Sequence, residues 1–189
     1  MKKLSIRKFV FVFVGTVVLL TFSLPVLADW NIQTVDSAGN VGMYDSLALD
    51  SSGNPHISYH SFGDSALKYA FHDGSAWHFH TVDNTAWVGE FTSIALDSGN
   101  NPHISYYDRT HGDLKYAYRD GSGWHFEPVD ITGNVGEYTS IVLDNGGYPH
   151  ISYYNREYAN PQNGNLKYAY RDGSGWHIES VDSPGDVGE

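Results

Sequence analysis

Beyond residue 28, apolar and polar residues alternate over short runs, and no stretch repeats apolar residues every three or four positions. The runs are five to seven residues long, are rich in Val, Ile, Tyr, Phe, Trp and Thr, and end at Gly, Pro, Asn or Asp. Alternation of this kind is typical of β-strands with one buried face, whereas an amphipathic helix shows a 3.6-residue period. The pattern therefore predicts an all-β protein.

The predicted strands recur in a fixed order along the chain. The residues LKYAYRDGSGWH occur unchanged at 114–125 and 166–177, and a softer copy, LKYAFHDGSAWH, occurs at 67–78. Four short strands with their turns take roughly 45 residues, which is the size of one blade of a β-propeller. The tryptophans that mark the repeat, spaced by 47, 47 and 52 residues, are Trp30, Trp77, Trp124 and Trp176.

We predict a β-propeller over residues 29–189, with a leading outer strand at Trp30–Asp36 and four-stranded blades at about 44–83, 91–130 and 138–182. TSIALD and its variants suit the innermost strand, because small side chains fit where blades crowd toward the axis. Closed propellers have typically 4–8 blades. Three blades therefore indicate a partial propeller or half of a ring that a second copy closes. A β-solenoid and a twisted β-sandwich are the competing architectures.

Residues 1–28 have the features of a secretory signal peptide. MKKLSIRK is basic, the following 18 residues carry no charge, and Val26-Leu27-Ala28 offers a small-residue cleavage site. An uncleaved membrane anchor is the alternative, since 18 apolar residues almost span a bilayer. We expect cleavage, and thus a secreted or cell-surface protein without membrane contact afterwards.

The charge of the chain argues against one class of partner. The chain has 11 basic and 22 acidic residues, for a net charge of −11 at pH 7, and four of the basic residues but no acidic one lie in residues 1–28. Residues 29–189 therefore carry a net charge of −15. Such a surface repels phosphate backbones, so we do not expect a nucleic-acid partner. The chain has no cysteine, so the fold closes without disulfides.

The sequence AYRDGSGW resembles the Asp-box (BNR) turn of sialidase-type β-propellers, S-x-D-x-G-x-x-W. Its Asp, Gly and Trp lie between the third and fourth strands of the blade, as in the Asp box. It departs from that motif because Asp120 and Trp124 are four residues apart, one fewer, and because Tyr118 replaces the Ser. The resemblance implies that the repeated turns stabilise the blades on the face away from the ligand site.

A sialidase-like activity would imply three arginines that grip a substrate carboxylate. Residues 29–189 contain four arginines, of which Arg119 and Arg171 belong to the repeated turns. Arg109 and Arg156 remain, which counts against that activity. No G-x-S-x-G motif and no cysteine nucleophile occurs, so we predict no catalytic residue.

The loops between the two middle strands and the links between blades are the expected place for a ligand, because they differ among the repeats. Carboxylates, Arg, His and aromatic residues in these segments suit the hydroxyls and ring faces of sugars. The candidate ligand-binding residues are Asp64, Trp87, Glu90, Asp108, Arg109, His111, Asp113, Glu137, Arg156, Glu157 and Tyr158.

The ten histidines do not have the spacing of a zinc site, and we predict no metal ligand. Calcium is the one cofactor left open, because Asp and backbone carbonyls are plentiful, although DSSGN is more simply a turn.

The sequence thus predicts a secreted or cell-surface module that binds an extracellular glycan or protein ligand, and that self-associates if the ring must close. Glycan is favoured by analogy with the fold. The alternatives are a fragment of a sialidase-like glycoside hydrolase and a purely structural repeat.

Overall fold

β-Strands follow one another along the chain, and no helix occurs in the residues that the structure describes. The structure, a computed structural model, describes residues 30–156, 164–183 and 187–188. The predicted signal peptide at 1–28 lies outside these residues, and all strands belong to one compact unit, residues 34–189. The strands are β1 (Val41–Leu49), β2 (Pro55–Ser61), β3 (Ala66–His72), β4 (Trp77–Asp83), β5 (Val88–Leu96), β6 (Pro102–Asp108), β7 (Asp113–Asp120), β8 (Gly123–Asp130), β9 (Asn134–Leu143), β10 (Pro149–Arg156), β11 (Asn165–Asp172) and β12 (Gly175–Asp182).

These strands form three four-stranded antiparallel sheets, in each of which neighbours in sequence are neighbours in the sheet. The sheets β1–β4, β5–β8 and β9–β12 are the first, second and third blade. Their first strands lie side by side, since Ile94 N donates to Ser46 Oγ and Ile141 N to Ser93 Oγ, both at 3.2 Å. Blades with adjoining first strands are the architecture of a β-propeller, and the predicted fold class is confirmed.

Each sheet begins three or four residues before the predicted blade, at Val41, Val88 and Asn134. The additional residues pair irregularly: in the second blade the register shifts between Val88 and Glu90 and again between Glu90 and Ser93. Bulges of this kind bend a strand and interrupt its alternation of faces. The alternating pattern therefore marks only the regular part of each first strand.

Residues Trp30–Asp36, which we predicted as a leading outer strand, do not form a strand in the structure. An outer strand needs the third strand of its own blade as a hydrogen-bonding neighbour, and no such strand precedes residue 30 among the described residues. Trp30 and Ile32 are accordingly 94% and 92% exposed. The spelling of an outer strand is present, but its pairing partner is missing from the structure.

The hydrophobic core lies between neighbouring blades. Leu67 and Tyr69 of the first blade pack with Ile104 and Tyr106 of the second, and each of the four is almost completely buried. Trp124, from the repeated turn of the second blade, packs edge-on against Tyr69 with ring centroids 5.5 Å apart. Burying a large apolar side chain contributes about 1.5–3 kcal/mol. The second junction repeats these contacts with Leu114, Tyr116, Ile151, Tyr153 and Trp176.

A buried latch joins the outer strand of one blade to the next blade. Asp83, the last residue of β4, accepts hydrogen bonds from Tyr106 Oη at 2.7 Å and Lys115 Nζ at 2.6 Å. Burial alone would raise the pKa of Asp83, but the bonds from Lys115, Thr85 and Tyr106 outweigh it and hold the pKa below its usual value. The same latch is formed by Asp36 with Tyr59 and Lys68, and by Asp130 with Tyr153 and Lys167.

The repeated twelve residues build the turn between the third and fourth strands of each blade. In the second blade, Asp120 accepts from the amide and the hydroxyl of Ser122, both at 2.7 Å, and lies 2.9 Å from His125 Nε2. These bonds hold the pKa of Asp120 below its usual value. Because the sheets are meanders, this turn lies at the opposite end of the blade from the loop between the middle strands.

Candidate functional site

The variable loops meet the links between blades at one end of the strands, which we call the loop face. It contains the turns β2–β3 and β6–β7 and the links β4–β5 and β8–β9. A close crossing fixes the first link: Gly89 has φ of +95°, and a Cβ on it would lie 2.6 Å from Leu67 Cα. Val88 N also donates to Ser65 O at 3.2 Å. The link is thus held tightly against the preceding blade, and Glu90 follows at a fixed place.

At the first junction, Trp87, Glu90 and Arg109 form one cluster. Glu90 Oε1 accepts from Trp87 Nε1 at 2.8 Å and from Arg109 Nη1 at 3.1 Å. The Arg109 guanidinium carbon lies 5.4 Å from the centre of the Trp87 ring. The exposed Phe62 ring stands edge-on to Trp87 at 5.1 Å, and His60 stacks on Trp87 from within the first blade at 6.1 Å.

Burial and charge give this cluster a direction. The Glu90 side chain is 7% exposed and the Arg109 side chain 60% exposed. The hydrogen bond and the charge of Glu90 raise the pKa of Arg109 above its usual value, so the guanidinium stays protonated. A buried carboxylate therefore holds a cation whose remaining N–H groups face solvent, beside an aromatic surface.

The second junction repeats the ion pair without the aromatic ring. Arg156 Nη2 donates to Glu137 Oε2 at 2.6 Å. Asn134 stands where Trp87 stands in the first junction, donates to Glu137 Oε1 at 3.4 Å, and accepts from Tyr107 Oη at 2.5 Å. An open cleft of about 640 Å³ lies here, lined by Tyr107, Arg109, Thr110, His111, Gly112, Thr132, Gly133, Asn134, Asn155 and Arg156.

Of the other candidates on the second blade, His111 lines this cleft and Asp108 supports it. Asp108, 3% exposed, accepts from the amides of Thr110 and His111 and from His111 Nδ1 at 2.9 Å. That bond raises the pKa of His111. Asp113 pairs with Asp108 across the hairpin, and burial followed by the charge of Asp108 raises the pKa of Asp113. Asp108 therefore shapes the loop from below.

The remaining candidates do not join either cluster. Asp64 accepts from Ser61 Oγ at 2.9 Å, and Lys68 Nζ lies 3.6 Å from it, so it belongs to its own turn. Glu157 and Tyr158 lie outside the described residues. Three residues that the sequence analysis did not select, Phe62, Tyr107 and Asn134, contact the clusters. A comparison of the repeats could have found Asn134, since it takes the place of Trp87.

An arc of aromatic rings borders the two junctions on the side of the first strands. Tyr44, Phe91 and Tyr138 occupy equivalent positions, and consecutive ring centroids lie 4.6 and 4.5 Å apart. Each residue has a φ between 52° and 53°, in the left-handed region that bulky side chains rarely adopt. The three equal conformations orient the rings toward one another along the ring of blades.

The histidines of PHISY have structural partners. His103 Nε2 lies 3.8 Å from Asp97, and its Nδ1 is bonded to the Tyr116 hydroxyl. Over the described ranges, no group of three or more His, Asp or Glu side chains is arranged to hold a metal ion. The same part of the chain contains no helix with the length and hydropathy needed to cross a bilayer.

No family model matches the chain, and no curated protein matches it. Among solved structures, it is similar to a fucose lectin from Kordia zhangzhouensis, determined with methyl-fucoside, at 22% identity and a TM-score of 0.50. That match covers 74% of this chain and 99% of the lectin. An α-L-arabinofuranosidase from Clostridium thermocellum matches at 16% identity and a TM-score of 0.49, over 85% of this chain and 60% of that enzyme.

The lectin similarity agrees with the three blades seen here and concerns the fold. The protein is therefore a β-propeller repeat protein whose loop face carries an arginine–glutamate pair at each of its two described blade junctions.

Proposed function

We propose that the protein is a glycan-binding β-propeller module, with a binding site on the loop face at each blade junction. The observation that carries this proposal is the first cluster, in which the buried Glu90 holds Arg109 and Trp87 in place. The second junction, with Glu137 and Arg156, is a related site without the tryptophan.

The geometry suits sugar hydroxyls better than a carboxylate or phosphate ligand. Glu90 compensates the charge of Arg109, so the guanidinium can donate to neutral oxygens without a strong preference for anions. The exposed Phe62 and the half-buried Trp87 offer apolar surface for the C–H face of a sugar ring. Fixed donors beside aromatic surface are the usual composition of a small-molecule site.

The fold similarity supplies a first probe. The fucose lectin shares the fold over almost its whole length, and methyl-fucoside is the sugar bound in that structure. We therefore infer that a fucoside is the first monosaccharide to test, within an array of other glycans. The net charge of −11 disfavours strongly acidic glycans as ligands.

The test is a glycan array with the purified chain, followed by calorimetry with methyl-fucoside and the best array glycan. Arg109→Ala and Arg156→Ala should each remove one class of site, and the double variant should lose binding. Arg119→Ala is the matched control, because Arg119 lies in the strand that leads to the repeated turn at the other end of the blade. Binding that survives in the double variant, or no binding to any glycan, would overturn the proposal.

A hydrolase related to Asp-box sialidases is the alternative of a different class. Both glutamates of the clusters are 5% exposed and each accepts a hydrogen bond from an arginine. That arrangement suits holding a cation in place rather than protonating a leaving group. Arg171 lies 2.9 Å from Glu127 near the repeated turn, so it does not complete an arginine trio with Arg109 and Arg156.

We also propose that the module acts outside the cell. The support is the basic and apolar composition of residues 1–28 with its small-residue cleavage site. Amino-terminal sequencing of the secreted protein should give Asp29 as the first residue, whereas retention in the membrane fraction would indicate an uncleaved anchor.

A further inference from the structure

The third blade ends in a face whose equivalents in the other blades are covered by the next blade. Val181 is 59% exposed, whereas Val82 and Val129 at the same position are 6% and 8% exposed. Asp182 is exposed, whereas Asp83 and Asp130 are buried in latches. Val142, Tyr168, Val181 and Asp182 form what we call the trailing face.

The first blade begins in the complementary face. Leu47 is 59% exposed, whereas Ile94 and Ile141 at the same position are 6% and 5% exposed under the preceding blade. Leu49 is 60% exposed. Leu47, Leu49, Ile57, Tyr59 and Lys68 form what we call the leading face, which contains a small cavity of about 200 Å³ beside Ile57 and Tyr59.

The chain joins these two kinds of face twice within itself. At the first and second junctions, the trailing face of one blade supplies Leu, Tyr, Val and the latch Asp, and the leading face of the next supplies Ile, Tyr and Lys. The two faces left open have the same residue types in the same register. A second copy of this chain therefore offers the surface that each open face fits.

One contact stands in the way, and it tells how the copies would join. In the single chain, Asp36 occupies the latch of the first blade, accepting from Tyr59 Oη at 2.7 Å with Lys68 Nζ at 3.7 Å. Residues 34–36 read TVD, like the ends of the outer strands at 81–83 and, with Ser for Thr, at 180–182. Asp36 is a stand-in for the aspartate of a preceding blade.

We propose that the trailing face of one copy docks on the leading face of a second copy, and that Asp182 displaces Asp36 from Tyr59 and Lys68. The contact is heterologous, so it forms a closed particle only if its rotation closes. Two copies bring six blades, within the range of 4–8 that closed propellers have. Residues 34–36 then compete with closure. The inference rests on the fold and is independent of the proposed glycan binding.

The test uses two changes with opposite expected effects. Asp182→Ala removes the incoming carboxylate and should weaken the dimer about ten- to hundred-fold, the range for a buried charged hydrogen bond. Asp36→Ala removes the competitor and should strengthen it. Masses are measured by light scattering after size exclusion, and dissociation constants by sedimentation. The expected mass of the wild type is twice that of one copy, which is at most 21.0 kDa.

Val181→Arg should also weaken the dimer, because it places a charge on the trailing face. Phe126→Ser is the control, since Phe126 is 45% exposed on an outer strand but belongs to neither face. A monomer at all concentrations would overturn the proposal and leave these faces to another chain. A dimer that is insensitive to Asp182→Ala and Val181→Arg, or a mass that grows without limit, would overturn it as well.

Discussion

The Asp83 carboxylate at the end of one blade accepts a hydrogen bond of 2.6 Å from Lys115 Nζ on the next blade. Both side chains are largely buried, with 2% and 16% of their surface exposed. Tyr106 donates to the same carboxylate, so the latch joins three strands of two blades. Because three copies of it recur along the chain, the junction chemistry is as repetitive as the sequence.

Removing the carboxylate of this latch should destabilise the protein strongly. Asp83→Ala leaves Lys115 and the Tyr106 hydroxyl buried without their acceptor, and breaking a buried ion pair in this way costs about 3–5 kcal/mol. Urea denaturation followed by fluorescence would measure the change. The exposed Asp45 provides the control, since Asp45→Ala should alter the free energy of unfolding by less than about 0.5 kcal/mol. Equal losses in the two variants would contradict a role for the latch.

The tight link before Glu90 should tolerate no side chain. Gly89→Ala places a Cβ 2.6 Å from Leu67 Cα at a φ of +95°, so both a backbone clash and an unfavourable conformation oppose it. We expect a loss of about 3 kcal/mol or more, or failure to fold. Gly121→Ala, where a Cβ would meet nothing within 4 Å, should be nearly neutral. Thermal melting of the two variants side by side decides the matter, and similar melting temperatures would count against the crossing.

The fold and part of the site followed from the sequence for different reasons. Periodicity and repeat spacing predicted three four-stranded blades, because alternation and turn residues are local signals. The strand predicted at Trp30–Asp36 failed because a strand also needs a neighbour, which local spelling does not reveal. In the loops, residue chemistry selected Trp87, Glu90 and Arg109, but it could not separate the cluster from Asp108, which supports a loop.

Acid should weaken the fold before the carboxylates titrate. Burial lowers the pKa of His103, and Asp97 opposes this only in part. The unfolded chain, with a histidine pKa of about 6.5, then binds the proton first. The stability that His103 contributes is present above about pH 6.5 and falls as the pH decreases toward the lowered pKa of the folded state.

Denaturation midpoints between about pH 8 and about pH 5 would show this slope, and it should be smaller in His103→Gln. The partly exposed His125 is the control, because His125→Gln should keep the slope of the wild type. An unchanged slope in His103→Gln would show that another group controls this range of pH.

The difference between the two junctions predicts a gain of binding. Trp87 donates to Glu90 and lies against Arg109, whereas Asn134 at the same place donates to Glu137 beside Arg156. Asn134→Trp should rebuild the aromatic surface at the second junction and raise its affinity for the best array glycan about ten-fold, as expected for one added aromatic contact. Trp87→Ala should lower the affinity of the first junction by a similar factor.

Calorimetry would separate these effects, because two unequal sites in the wild type should become two similar sites in Asn134→Trp. Asn134→Ala is the matched control, since it removes the bonds with Glu137 and Tyr107 without adding a ring. If Asn134→Trp folds normally and binds no better than Asn134→Ala, the ring beside the arginine does not determine affinity. The ion pair alone would then have to account for binding at both junctions.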